Sequence, residues 1–277
     1  MTRPLDNRVS IVTGAGRGIG RAVSLALASA GASIVLAART TAQLEQVQAE
    51  VGQQGGTALA VQTDVTDPAS VQRLVDSTLD RFDRVDVLIN NAGSNDGGPD
   101  GAVGELWNVN PDAWWHDVEV NLRGTFLCSR AVLDHMVTAG RGHIVNVVST
   151  AAAIPGPYDS AYACSKAAVI RLTDSLAEEV RDHGVCVFAL SPGSVDTELR
   201  AGAVESPAGR KWLTRVNPNP EWVPAERPAE MVLALVSGPA DGLTGRLISV
   251  EWDLDQLAGR AQEIAERDLL QLRLTGP

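Results

Sequence analysis

The sequence predicts an α/β fold: one doubly wound parallel sheet of about seven strands with helices on both faces. Three observations predict it. Short β-branched runs, apolar almost throughout, alternate with helical stretches, the pattern of strands buried on both faces. A glycine-rich turn joins the first of these runs to the first helical stretch. No polar linker and no self-similarity at a period of about 20–50 residues divides the 277-residue chain.

The elements follow in order. "RVSIVTG" (8–14) reads as a strand and "GRAVSLALASAG" (20–31) as a helix stopped by Gly31. "SIVLAAR" (33–39) is the second strand and "AQLEQVQAEVGQQ" (42–54) its helix. "TALAVQTDV" (57–65), "VDVLINNAG" (85–93), "HIVNVVS" (143–149), "VCVFALS" (185–191) and "RLISVE" (246–251) are the remaining strands. Helical periodicity marks 70–82 and 166–184 between them. Three stretches break the rhythm. Residues 94–112 are rich in Gly, Asp and Asn and read as a loop. Residues 194–228 carry prolines 207, 218, 220, 224 and 228 and read as a mobile flap. Residues 254–274 place apolar side chains at 254, 257, 261 and 264 and read as a helix. The expected organisation is one domain over residues 1–253 with a helical extension, 254–277, of the same domain. Both loop-like stretches follow a strand, which puts them at the carboxyl edge of the sheet, where ligands bind in such folds.

Composition narrows the function classes. A formal charge of −11 and a pI near 4.8 argue against nucleic acid and anionic membranes as partners, since both require a basic footprint. No apolar run approaches the ~18 residues of a membrane helix, and the N-terminus lacks a leader pattern. The expectation is a soluble cytoplasmic protein. Cys128, Cys164 and Cys186 form no CxxC pair and read as small packing residues. His116, His135, His143 and His183 lack metal-ligand spacing, and no GxSxG elbow supplies a hydrolase nucleophile, so no metal is expected.

Chemistry enters with "TGAGRGIG" (13–20). Its glycines, Gly14, Gly18 and Gly20, tolerate positive φ and let backbone N–H groups approach a phosphate at the start of a helix. The spacing is GxxxGxG rather than the usual GxGxxG. The end of the second strand decides the cofactor. An acid there suits the ribose hydroxyl of NAD, a base the 2′-phosphate of NADP. "LAART" offers Arg39 and no acid, and Arg17 adds a second cation, so NADP(H) is expected over NAD(H).

"PYDSAYACSK" (157–166) holds both tyrosines of the chain, Tyr158 and Tyr162. A tyrosine serving as acid and base near neutral pH must lower its pKa from ~10 by roughly 2–3 units, and a nearby ammonium is the simplest cause. Lys166 lies one helical turn from Tyr162 and two from Tyr158. The spacing selects Tyr162, and Tyr158 reads as pocket wall.

These motifs together resemble the short-chain dehydrogenase/reductase family, marked by TGxxxGxG, NNAG and YxxxK, which appear here in that order at family-like distances over residues 8 to about 251. The resemblance implies a Rossmann-like fold and an oxidoreductase that interconverts alcohol and carbonyl by hydride transfer. It implies a catalytic set of Asn121, Ser149, Tyr162 and Lys166. Tyr162 would move the proton, Lys166 would depress its pKa and hold the nicotinamide ribose, Ser149 would orient the substrate oxygen, and Asn121 would hold a water. It further implies cofactor contacts from Thr13, Gly14, Arg17, Gly18, Ile19, Gly20, Arg39, Asp64, Val65, Asn91, Ala92, Gly93, Tyr162, Lys166, Pro192, Gly193, Val195 and Thr197.

Tyr158, Trp107, Trp212 and Trp222 are expected to line an apolar pocket for a ring-bearing or bulky carbonyl compound, while Trp114 and Trp115 read as helix packing. The family resemblance implies a homo-oligomer, tetramer or dimer, to which the C-terminal extension, a departure from the family pattern, would contribute. Two alternatives stand beside this reading: an NAD-dependent alcohol dehydrogenase, and a catalytically silent nucleotide-binding regulator. The intact Asn121, Ser149, Tyr162 and Lys166 speak against the second.

Overall fold

A computed structural model describes residues 3–96, 101–154, 156–216 and 222–273. Seven parallel strands form the sheet: β1 (Val9–Thr13), β2 (Ser33–Ala38), β3 (Thr57–Gln62), β4 (Val87–Asn90), β5 (Gly142–Val147), β6 (Val185–Ser191) and β9 (Leu247–Ser249). Their spatial order is β3-β2-β1-β4-β5-β6-β9. A two-residue parallel pair, β7 (Ser194–Val195) and β8 (Trp222–Val223), stands apart from them. The chain winds outward from β1 to β3 and returns to β4, so order reverses between β1 and β4 and opens a crevice at their carboxyl ends.

Alternation along each strand builds two cores. Val12, Ile34, Leu36, Ile89, Val145 and Phe188 face one side, where α1 (Gly18–Ser29), α2 (Thr41–Gln53) and α9 (Glu226–Val236) pack. Ile11, Val35, Leu88, Ile144 and Val187 face the other, against α3 (Pro68–Phe82), α5 (Gly124–Ala139) and α6 (Ser160–Glu179). Buried on both faces, β1, β4, β5 and β6 need no polar alternation.

The predicted strands are all present: β6 has the predicted bounds, β5 starts one residue earlier, and the others are shortened at one or both ends. The expected strand 85–93 contracts to β4, because "NAG" turns away into the crevice. Described residues of the 94–112 stretch carry no strand and no helix until α4 (Pro111–Val118), capped by Asn110 Oδ1, which accepts from Asp112 N at 2.8 Å; residues 97–100 lie outside the described ones. The flap expectation needs correction. Its described part is mostly helical, α7 (Glu198–Glu205) and α8 (Pro207–Val216), followed by β8 and the start of α9. Pro207 opens α8 at a position where no N–H is needed, and Pro228 falls in the first turn of α9, so neither breaks a helix. Pro218 and Pro220 lie outside the described residues.

The C-terminal stretch forms two short helices, α10 (Leu254–Gly259) and α11 (Ala261–Glu266), instead of one. Ile264 is buried, and Leu254, Leu257 and Ala261 pack beside it on the chain's own core. Beyond α11, Leu270 O accepts from Leu247 N at 2.8 Å and covers the outer edge of β9. Of the three thiols Cys128 is buried, Cys186 partly so and Cys164 exposed, which corrects the packing role expected for Cys164.

Candidate active site

One cleft of about 590 Å³ runs along the carboxyl ends of the strands. At its base, Thr13 Oγ1 accepts from Asn91 N and Ala92 N, both at 3.0 Å, while Asn91 Nδ2 donates to Thr13 O at 2.9 Å and Gly14 O at 3.2 Å. The two loops that flank the switch point are thereby clamped together. Gly14 and Gly18 adopt φ of +63° and +53°, the left-handed region that favours glycine. Gly20 is required by contact: a Cβ there would stand 2.2 Å from Gly14 O. The N-terminus of α1 has no side-chain cap, and Gly18 and Ile19 of its first turn line the cleft.

Gly14, Arg17, Gly18, Ile19, Arg39, Asp64, Val65, Asn91, Ala92, Gly93, Pro192, Gly193, Val195 and Thr197 all line this cleft. Thr13 and Gly20 support it from behind. Asp64 Oδ1 accepts from Thr66 N at 2.9 Å and Thr66 Oγ1 at 2.7 Å. Burial pushes its carboxyl up, but those two hydrogen bonds and the Arg39 charge outweigh burial and hold it below the usual carboxylate range. Arg17 pairs with Glu198 at the start of α7.

At the other end, Ser149, Tyr158, Tyr162 and Lys166 line the same cleft. α6 places Tyr162 and Lys166 one turn apart, with Lys166 Nζ 5.6 Å from the centre of the Tyr162 ring. Lys166 is buried and donates to Val147 O at 2.8 Å. Burial pushes its ammonium down to about 8. Ser149 follows β5 in extended conformation, and its Oγ accepts from Ala151 N at 3.1 Å. Asn121 sits outside the lining, in a π-helical turn, Glu119–Arg123, between α4 and α5. Such bulges recur at functional sites. Its amide donates to Ser94 O at 2.9 Å and Ser165 Oγ at 3.0 Å. A Cβ built on Gly93 would meet Asn121 Oδ1 at 3.2 Å and Lys166 Nζ at 3.8 Å, so the amide and the ammonium share that neighbourhood.

The tryptophan expectation fails geometrically. Trp107 is 81% exposed, Trp222 is 53% exposed, and neither lines the cleft. Trp212 packs under Tyr158 with Val103, Ala203 and Ala208, its indole N–H donating to Glu105 Oε1 at 3.2 Å. That polar N–H draws the ring toward the 101–110 loop and away from the cavity. Trp115 is 61% exposed and meets Trp114 edge-on, so it is not a packing residue of this chain's core. The cleft also takes in Ile154, Tyr158, Leu199, Ala203 and Val204, with Ser94, Asn95, His116 and Asp159 as polar members. The i, i+4 pair Leu199 and Ala203 in "TELRAGAV" was a legible signal for a helical wall; the others come from distant segments. At the opposite edge of the sheet, register pairs His143 with Cys186, and Asp241 joins them within 4.8 Å. Arg8 approaches His143 Nδ1 at 3.4 Å and Asp241 accepts at Nε2 at 2.9 Å, which already occupies both ring nitrogens.

Comparison with known proteins gives a consistent result. A family model described as short chain dehydrogenase matches residues 8–208. A short chain dehydrogenase of Pseudocercospora fijiensis is 36% identical, over 94% of this chain and 85% of its own. Cis-4-hydroxycyclohexanecarboxylate dehydrogenase of Sinomonas cyclohexanicum is 36% identical over 91% of this chain and 98% of its own. Among solved structures, a gluconate 5-dehydrogenase of Burkholderia cenocepacia in complex with NADP and tartrate superposes with a TM-score of 0.79 at 30% identity, covering 90% of this chain and 95% of that one.

Proposed function

The chain belongs to the short-chain dehydrogenase family of oxidoreductases, and from that premise we propose that it interconverts a ring-bearing or bulky apolar carbonyl compound and its alcohol with NADP(H), using Tyr162 as acid and base. The observation that carries this reading is the convergence of Tyr162, Lys166 and Ser149 on the cleft that the glycine loop also lines.

The residues present fit a dinucleotide. The uncapped start of α1 and the glycine loop suit a diphosphate, Asp64 an adenine ring, and Arg39 with Arg17 a 2′-phosphate. When bound, the nicotinamide would supply or accept the hydride. In reduction, Tyr162 gives its phenolic proton to the substrate oxygen as negative charge develops there. Lys166, cationic at neutral pH, stabilises the phenolate that remains. Ser149 donates to the same oxygen and fixes its direction. Asn121 holds the backbone of Ser94 beside Lys166 on the proton's route to solvent.

The wall of Ile154, Leu199, Ala203 and Val204 favours apolar carbon around the reacting centre. The cyclohexane ring named for the Sinomonas relative and the NADP of the Burkholderia structure support ring and cofactor. Following NADPH and NADH absorbance with a panel of ketones, quinones and cyclic alcohols tests the reading. Turnover of cyclic ketones with NADPH is expected, with NADPH bound at least tenfold tighter than NADH. Tenfold tighter NADH binding overturns the cofactor assignment, and activity confined to small charged substrates overturns the pocket.

A further inference from the structure

Asp117 ends α4 as a fully buried carboxylate. Its situation differs from that of buried Asp86, which meets both Arg84 and Arg141. Among the described residues no ion pair reaches Asp117. It accepts instead from Ser94 Oγ through Oδ1 and from Asp96 N at 3.2 Å through Oδ2. Burying a carboxylate without a cation costs stability that its hydrogen bonds offset only in part.

What they hold is the start of the loop after β4. Ser94 N donates to Asn121 Oδ1 at 2.9 Å, and Asn121 returns a bond to Ser94 O at 2.9 Å. Asp117 grips the Ser94 side chain, and Asn121, one turn further along, grips its backbone. Gly93, the preceding residue, is the point that Asn121 Oδ1 and Lys166 Nζ both approach. Ser94 and Asn95 also form part of the cleft wall.

The geometry points to Asp117 as a positioning residue: acting through Ser94, it fixes Asn121 and the Gly93–Asn95 segment against Lys166. This rests on the proton-transfer reading of Tyr162, Lys166 and Asn121 given above. Burial pushes the Asp117 carboxyl above the usual carboxylate range, a push that the Ser94 and Asp96 hydrogen bonds only partly oppose. Of the ionisable neighbours, Asp96 on the loop adds to the rise and His116 on α4 counters it. From α6, the groups at this contact are Ser160, bonded to Trp114, and Ser165, bonded to Asn121, with Tyr162 and Lys166 on the cleft side. A carboxylate whose folded pKa is raised is disfavoured by folding as pH rises through that pKa. An amide in its place removes that cost. A purely structural Asp117 would lose stability and activity together on substitution, whereas a positioning Asp117 loses turnover alone.

The test compares wild type, Asp117→Asn, Ser94→Ala and the double variant, with NADPH as titrant and a turned-over cyclic ketone as substrate. For Asp117→Asn we expect kcat at pH 8 to fall at least tenfold, an NADPH Kd within twofold of wild type by fluorescence, and a thermal midpoint no lower at pH 8. The double variant should be no slower than the slower single one, because both act through one contact. We expect wild-type kcat to fall toward acid pH as Asp117 protonates, and that fall to be absent in Asp117→Asn. An Asp117→Asn enzyme within threefold of wild-type kcat overturns the inference, as does a loss of midpoint, cofactor binding and kcat in parallel. A wild type that turns over no carbonyl compound refutes the proposed function itself, and this inference with it.

Discussion

Tyr162 and Lys166 were separable from Tyr158 by helical spacing alone, because one turn brings side chains onto the same face. Tyr162→Phe removes the proposed proton donor and keeps the ring. Turnover should fall more than a hundredfold with NADPH binding unchanged; retention of a tenth of wild-type rate, a loss of only ~1.4 kcal/mol, refutes the acid/base assignment. Lys166 carries a second prediction. Its folded pKa of about 8 against 10.5 for a free side chain means that folding disfavours its charge. A depressed pKa withholds stability at low pH, by about 3 kcal/mol below pH 8, and restores it between about 8 and 10.5. Lys166→Met should therefore abolish turnover yet raise the thermal midpoint by several degrees at pH 7, with the gain shrinking toward pH 10. A gain independent of pH counts against burial as its cause. Asp117 was not legible at this scale: an Asp in "WWHDV" reads as surface until the Ser94 and Asp96 contacts are known.

At the scale of elements, β1, the glycine turn and α1 act as one unit, and Gly20 is its tightest point. Gly20→Ala would bring a methyl to 2.2 Å from Gly14 O and 2.6 Å from Asn91 Nδ2. Both belong to the clamp under the cleft, so the loop must move. NADPH affinity should drop at least tenfold and the midpoint should fall, measurable by fluorescence titration and thermal shift; wild-type values for both contradict the clamp. The inner strands were readable because β1, β5 and β6 are apolar runs buried along almost their whole length, while β3, at the sheet edge, is only partly buried. α7 and α8 were not. Their prolines and glycines suggest a loop until Pro207 is seen at a helix start and Ser206 Oγ is found accepting from Gly209 N at 2.9 Å.

Across the whole molecule, the C-terminal extension belongs to the fold. Ile264 is 2% exposed, Leu270 caps the edge of β9, and Arg273 ties the tail to Asp174 of α6 at 2.7 Å. Ending the chain after Asp253 should lower the midpoint by 5 °C or more, by roughly 2–4 °C per kcal/mol of lost packing, and promote association through the bared edge. A truncated protein with an unchanged midpoint would return the extension to the role of a mere appendage. The fold class, the strand set, the glycine turn and the Tyr162–Lys166 pair were determined by the sequence itself, since each depends on periodicity or spacing within one element. Only the tertiary structure decided that Trp107 and Trp222 stand clear of the cleft, that Ile154, Leu199 and Val204 form its wall, and that Asp117 and Asn121 share Ser94. Those relations join segments far apart in the chain, and no local pattern records which distant surface a side chain will meet once the sheet has brought its loops to one edge.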